Sequence, residues 1–178
     1  KLFTRNFILL ILGQASSLAG NYMLRLALSM FVLEVTGSAA VFAGILSAAT
    51  VPAILLSPFG GVLADRADRR KIMVALDILT GSVVLCGAVF LTRDNAPAGV
   101  CLLLVVLSVL GAFETPAVQA CIPQIVGEEQ LVQANAVVNQ VASISCLAAP
   151  MSGGVLYGIM GLKPVLWISV VCFFLTGL

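Results

Sequence analysis

Long apolar stretches follow one another along the chain, unbroken rather than alternating with polar residues, and short polar clusters separate them. The first runs from about Phe7 to Leu33 and ends at Thr36-Gly37-Ser38. The second, about Ala40 to Leu63, ends in a charged run from Asp65 to Lys71. The third, about Ile72 to Leu91, is closed by TRDNAP. The fourth, about Ala98 to Thr115, is followed by QIVGEEQ. The fifth spans about Leu131 to Tyr157, and GLKP divides it from a sixth that begins near Val165 and reaches Leu178. A helix needs about 20 apolar residues to cross the hydrocarbon core. Only helices and closed barrels satisfy their own backbone hydrogen bonds there, and the alternation of a barrel strand is missing. The pattern predicts an all-α membrane protein of six spanning helices in one domain, residues 1–178, with the sixth helix cut short.

Composition supports this. Hydrophobic residues make up 61% of the chain and charged residues 10%, and the mean hydropathy is +1.15. The first stretch is too long for a signal peptide and lacks a small-residue cleavage site. The chain begins at Lys1 rather than Met, so a natural start further upstream is expected. Cys86, Cys101, Cys121, Cys146 and Cys172 are scattered and there is no histidine. A metal site is therefore not expected, and the cysteines read as small buried hydrophobes. A net charge of +1 gives no support for a nucleic-acid partner. The expected partners are the lipid bilayer and a small molecule.

Charge distribution sets the orientation. Six spans place Lys1, Arg5, Arg66, Arg69, Arg70 and Lys71 on one side, and Arg93 and Lys163 on the other. The positive-inside rule makes the first side, with the N-terminus, cytoplasmic. The ninth cation, Arg25, lies inside the first span. It belongs to a stripe of Gln14, Ser17, Asn21, Arg25 and Ser29, spaced three, four, four and four residues, on one helical face. An arginine at that depth faces a water-filled cavity or a partner, or else snorkels to the interface. About eight apolar residues continue beyond Arg25, which favours the cavity. A second stripe, Asn135, Asn139, Ser143 and Cys146 with Gln140 beside it, marks the fifth span. Interhelical hydrogen bonding and cavity lining explain it equally well. Three acids stand near span ends: Glu34 at the outer end, Asp77 and Glu114 toward the cytoplasm. Glu34 and Glu114, with Asp77 beside them, are candidates for carrying a coupling proton, against the plainer reading of solvated or salt-bridged ends.

The charged run has a specific order. Gly61-Val62-Leu63-Ala64-Asp65-Arg66-Ala67-Asp68-Arg69-Arg70-Lys71 resembles the signature loop of the major facilitator superfamily, G-x-L-A-D-R-x-G-R-[RK]-[RK], and stands between the second and third spans as it does there. On charge alone the loop would read as a topology anchor. Asp68 replaces the family's second glycine; aspartate is among the few residues that tolerate the left-handed region. LADRADRRKIM and the segment Phe113 to Gln140, with its Pro-Ala pair, IPxxV and LxxAN, look like the macrolide-efflux and enterobactin-exporter branch. Exporter members carry G-x8-G-x3-G-P-x2-G-G in the fifth span. Aligned on Pro150, Ala136, Ser145 and Ala149 take the first three glycine positions, and Gly153 and Gly154 the last two. The family's fourth-span arginine motif is missing: Leu107 stands four residues before Gly111, where its arginine would be. A short echo links SPFGG (Ser57 to Gly61) with APMSGG (Ala149 to Gly154).

The resemblance implies half of a twelve-helix fold, built from 3+3 inverted repeats, and an absent C-terminal half. It also implies that Asp65 meets that half as a conformational latch. The expected function is proton-coupled efflux of drug-like molecules by alternating access in the bacterial cytoplasmic membrane, with the proton gradient as energy source and no cofactor. An importer or sensor of the same superfamily, and a non-transporting scaffold or half-transporter that pairs with a second copy, are the alternatives. An enzyme is not expected, since no convergent nucleophile, metal or acid–base set is present.

Overall fold

The computed structural model describes residues 4–66 and 69–177, with side chains described outside 61–69. Six helices follow in order: α1 (Arg5–Thr36), α2 (Ala39–Arg66), α3 (Arg69–Phe90), α4 (Ala96–Ile125), α5 (Leu131–Met160) and α6 (Leu162–Thr176). A single 3₁₀ turn, Glu128–Gln130, precedes α5. The first five are long and apolar enough to cross a membrane; α6 is a shorter apolar helix of 15 residues. With 61% of the chain hydrophobic, this is an all-α membrane bundle.

Local chemistry explains the helix ends. The Thr4 hydroxyl accepts from the Phe7 amide at 3.4 Å and caps α1. Gly37 closes α1 at φ 62°, its N–H donating to the Leu33 carbonyl at 2.9 Å; a residue with a Cβ is strained in that left-handed conformation. Asn95 ties the α3–α4 turn: its Oδ1 accepts from the Thr92 amide, and its Nδ2 donates to the Phe90 carbonyl. The sequence pattern ended the fourth span at Thr115, before Pro116. The helix instead runs ten residues further, through Pro116 and Pro123 to Ile125. A proline interrupts one helical hydrogen bond without ending a membrane helix when a neighbour re-satisfies the freed group.

That neighbour is α2. Pro116 has no N–H for the Ala112 carbonyl four residues back. Gly60 packs against that carbonyl so closely that a Cβ on it would stand 2.7 Å from the oxygen and 3.2 Å from the Phe113 Cα. The approach suits a weak Cα–H···O bond to the freed carbonyl. At the other helix pair, Gly153 of α5 faces the α1 backbone, where a Cβ would lie 2.8 Å from the Met23 Cα. These two glycines occupy matching places in the SPFGG and APMSGG echo.

The packing follows the same symmetry. The most extensive helix pairs are α2 with α4 and α1 with α5; α1 with α6, α3 with α6 and α3 with α4 come next. Exchanging the first three helices with the last three maps each pair onto its counterpart, as inverted repeats require.

Two apolar clusters fill the bundle. The larger includes Leu24, Leu28, Leu104, Leu107, Leu166 and Phe173. The smaller, formed by Phe7, Val118, Ile122, Val126, Ala134 and Val138, joins the start of α1 to the end of α4 and the start of α5.

Gly153→Val and Gly60→Val in the full-length protein are each expected to destabilise the fold by about 1–3 kcal/mol through overpacking against backbone. Gly158→Ala, with nothing within 4 Å of its Cβ, is expected to be neutral or slightly stabilising. Thermal unfolding in detergent measures all three.

Candidate functional site

Between the two apolar clusters lies a polar layer. On α1 it falls after Phe7 and before Met23, at Gln14 and Ser17. On α4 it falls between Leu107 and Val118, at Glu114. On α3 it is Asp77. Each helix thus carries its polar group at the level where apolar packing is interrupted. Ser17 is 2% exposed, and its Oγ lies 3.0 Å from the Asp77 Oδ1 and 2.8 Å from the Glu114 Oε1. One hydroxyl therefore bridges carboxyls from two other helices. Asp77 is buried and Glu114 half-buried. Gln14, one turn from Ser17, is 8% exposed, and its Oε1 has no hydrogen-bond partner.

These four residues line a cavity of about 680 Å³, within the range of small-molecule sites. It is bounded by α1, α3, α4 and the end of α6, with Arg70 and Gln124 toward one mouth and Leu9, Met73 and Leu175 among its apolar walls. Among the described residues no three His, Cys, Asp or Glu side chains come together to hold a metal ion.

The stripe on α1 does not act as a unit. Gln14 and Ser17 enter the cavity. Arg25 reaches across to α4, where its guanidinium donates to the Ser108 hydroxyl at 2.5 Å. Ser29 is buried and donates to the Arg25 carbonyl one turn back at 2.7 Å. Asn21 is half-buried. Leu107, at the position of the family's arginine, is 1% exposed in the larger cluster. The cation at this level of the bundle therefore comes from α1 and lands on the residue next to Leu107. Ser108 carried no sequence signal beyond being a hydroxyl in an apolar run.

Glu34 stands at the opposite end of the bundle from the cavity mouth. Its Oε1 accepts from Arg93 at 2.9 Å, and its Oε2 accepts from the Tyr157 hydroxyl. The Arg93 pair is largely exposed, so it contributes little stability. Tyr157 is buried at the end of α5, so the three groups tie α1, the α3–α4 turn and α5 together. Tyr157 escaped the sequence reading because an aromatic near a span end is ordinary in a membrane helix. Of the three acids, the structure brings Asp77 and Glu114 together and holds Glu34 apart.

Helix α5 has two distinct faces. Ala134, Val138, Ser145, Ala149, Gly153 and Tyr157 are buried. Asn135, Asn139, Gln140, Ser143 and Cys146 are exposed. Asn135 donates to the Leu131 carbonyl and Ser143 to the Asn139 carbonyl, both one turn back. Asn135 and Ser143 thus bond within their own helix, while Cys146 meets the Tyr22 side chain of α1. The exporter-like motif splits between the two faces. Ser145, Ala149 and Gly153 are buried, with Pro150 half-buried, and Gly154 meets Leu26. Ala136 is exposed; nine residues before Ser145, it lies about half a turn round the helix. Gly61, Asp65, Arg66, Asp68 and Arg69 of the signature loop lie outside the residues whose side chains are described. Arg70 and Lys71 follow at the start of α3, both exposed.

The sequence model of the Major Facilitator Superfamily matches residues 10–178. Among curated proteins, the chain is 33% identical over 162 residues to macrolide efflux protein A of Streptococcus pyogenes, covering 89% of this chain and 39% of that protein. It is 31% identical over 145 residues to the putative bacilysin exporter BacE of Bacillus subtilis, covering 82% of this chain and 36% of that one. It is 26% identical over 168 residues to the multidrug efflux pump Tap of Mycolicibacterium fortuitum, covering 91% of this chain and 41% of that one. The chain therefore spans about two fifths of the length of these relatives. With the match running from α1 to the end of α6 and the signature segment at the junction of α2 and α3, the chain belongs to the major facilitator superfamily of membrane transporters.

Proposed function

We propose that the whole protein exports small amphipathic organic molecules across the bacterial cytoplasmic membrane in exchange for protons. The chain described above would form its N-terminal half, with the N-terminus cytoplasmic. A second six-helix half would complete the path, and the two would rock about a site near mid-membrane. The observation that carries the reading is the similarity over nearly the whole chain to relatives named as efflux proteins and exporters.

The geometry supports it in three ways. The polar stripe of α5 is exposed on a bundle whose other exposed α5 residues include Leu147, Met151 and Val155, as suits a helix that meets both a water-filled path and apolar neighbours. Asp77 and Glu114 supply two acids within one cavity, and proton exchange needs an acid inside the membrane. Glu34, tied to Arg93 and Tyr157, serves as a clasp at the outer end rather than as the proton carrier. Asp65, the first acid of the signature loop, latches this half to the second when the path faces outward.

The direct test uses full-length protein in proteoliposomes with an acidic interior. A radiolabelled macrolide should accumulate inside as protons leave, and a protonophore should abolish the accumulation. Uptake driven only by the opposite gradient would make the protein a symporter and sink the reading.

Two further outcomes are expected. Asp65→Asn should slow transport by roughly tenfold or more at unchanged membrane abundance, the effect of losing one charge-assisted hydrogen bond. Asp68→Gly, which restores the family's residue, should be tolerated. On α5, the native Cys146 and cysteines placed at Asn135, Asn139 and Ser143 should react with a water-soluble thiol reagent in a background lacking the other cysteines. Cysteines at Ala134 and Val138 should stay unlabelled. Equal labelling of the two sets would place no water path along this face.

A further inference from the structure

Ser17 has one hydroxyl proton and two carboxyl neighbours. Its Oγ is 3.0 Å from the Asp77 carboxyl and 2.8 Å from that of Glu114. Two full hydrogen bonds require that Ser17 donate to one carboxyl and accept from the other, and a carboxyl donates only when it carries a proton. With both acids ionised, the two carboxylates would have to share the one hydroxyl hydrogen. Two negative charges would also share a site that is largely removed from water. Two carboxyls so placed behave as one titrating unit.

A second observation, on a different side chain, is an unpaired hydrogen-bond acceptor in the same cavity. Gln14 lines the same cavity, is more than nine-tenths buried, and has an Oε1 without a donor. A buried acceptor left unpaired is costly, so this position suits a hydrogen-bond donor. Thr176, the hydroxyl at the end of α6, stands against the Asp77 carboxyl and donates to the Phe173 carbonyl of its own helix.

We propose that Asp77 and Glu114 form a proton-binding site that holds one proton between them through Ser17, with the Gln14 Oε1 as a hydrogen-bond acceptor in the same cavity. The carboxyl bearing the proton donates it to the Ser17 Oγ, and Ser17 donates its own proton to the partner carboxylate. Concerted movement of both protons exchanges the acid and the carboxylate without changing the charge of the site, which stays at minus one. The titratable and charged groups around it are few. Tyr22 and Arg25 lie further along α1, Arg70 is at the cavity mouth on α3, and Cys121 lies on α4. Cys146 of α5 lies beside Tyr22. Cys172 of α6 accepts through its carbonyl from Ser16. Neither acid is in an ion pair among the described residues. The inference deepens the export reading and rests on it only for what the proton is used for.

Infrared spectroscopy of the full-length protein tests the site directly, because only a protonated carboxyl shows the carboxylic C=O stretch. The wild type near neutral pH should show one such band from this pair. Asp77→Asn and Glu114→Gln should each change the frequency of the band, since either substitution removes one of the two carboxyls that share the proton. Isotope labels need no substitution: ¹³C-aspartate and ¹³C-glutamate, introduced separately, should each shift part of the band. A band that neither variant moves, a band moved by only one label, or no band from the pair in wild type would each overturn the proposal. Transport separates the two readings. A pair with its band but no macrolide exchange would end the export reading alone, and exchange without the band would end the shared proton alone.

Discussion

Close approach of helix backbones is the constraint on which this bundle depends. In lipid there is no hydrophobic force between helices, so they associate by packing and weak polar contacts, and small residues permit the closest packing. Gly60 on α2 and Gly153 on α5 each sit where a Cβ would collide with a neighbouring backbone. At Gly60 the neighbour is the carbonyl that Pro116 leaves without its helical donor. The proline and the glycine are therefore one device: the first frees an acceptor, the second lets a backbone reach it. These crossings fix α2 on α4 and α5 on α1, and α1 and α4 then lie side by side. That places Ser17 opposite Glu114 and Arg25 opposite Ser108.

The polar layer depends on that placement. Asp77, Glu114, Ser17 and Gln14 would be costly as isolated groups in an apolar interior. They are tolerated because they fall at one level on three helices, where the two apolar clusters leave a gap and a cavity opens. The clasp at the other end has a different character. Its ion pair is largely exposed, and its hold on the fold comes through the buried Tyr157. The two ends of the bundle thus use acids in opposite ways: one pair shares an interior hydroxyl, and one acid bridges a surface cation and a buried phenol.

Helix α5 shows how one segment serves two tasks. Its buried strip of small residues lets it lie along α1, while its amides and hydroxyls face away and satisfy part of their hydrogen bonding within the helix. The exporter-like motif does not define a single surface. Its later positions belong to the packing strip, and Ala136 belongs to the exposed face.

The sequence alone determined the helical class, the number of helices and the family. These follow from unbroken apolar length and from the order of residues in one charged loop, both local properties. It also marked the residues of the polar layer, because a glutamine, an aspartate or a glutamate inside an apolar run is conspicuous wherever the run folds. It did not determine which of them meet. Ser17 and Asp77 are 60 residues apart, and Ser17 and Glu114 are 97 apart. Only the helix crossings decide those distances. The same holds for the division of the α1 stripe between cavity and α4, for the outward turn of the α5 stripe, and for Tyr157 as the partner of Glu34. The continuation of α4 through two prolines was likewise hidden, because proline reads as a stop in sequence, whereas the carbonyl it frees is matched by a glycine on another helix. Periodicity fixes which residues share a face. What that face meets is set by packing between helices far apart in the chain.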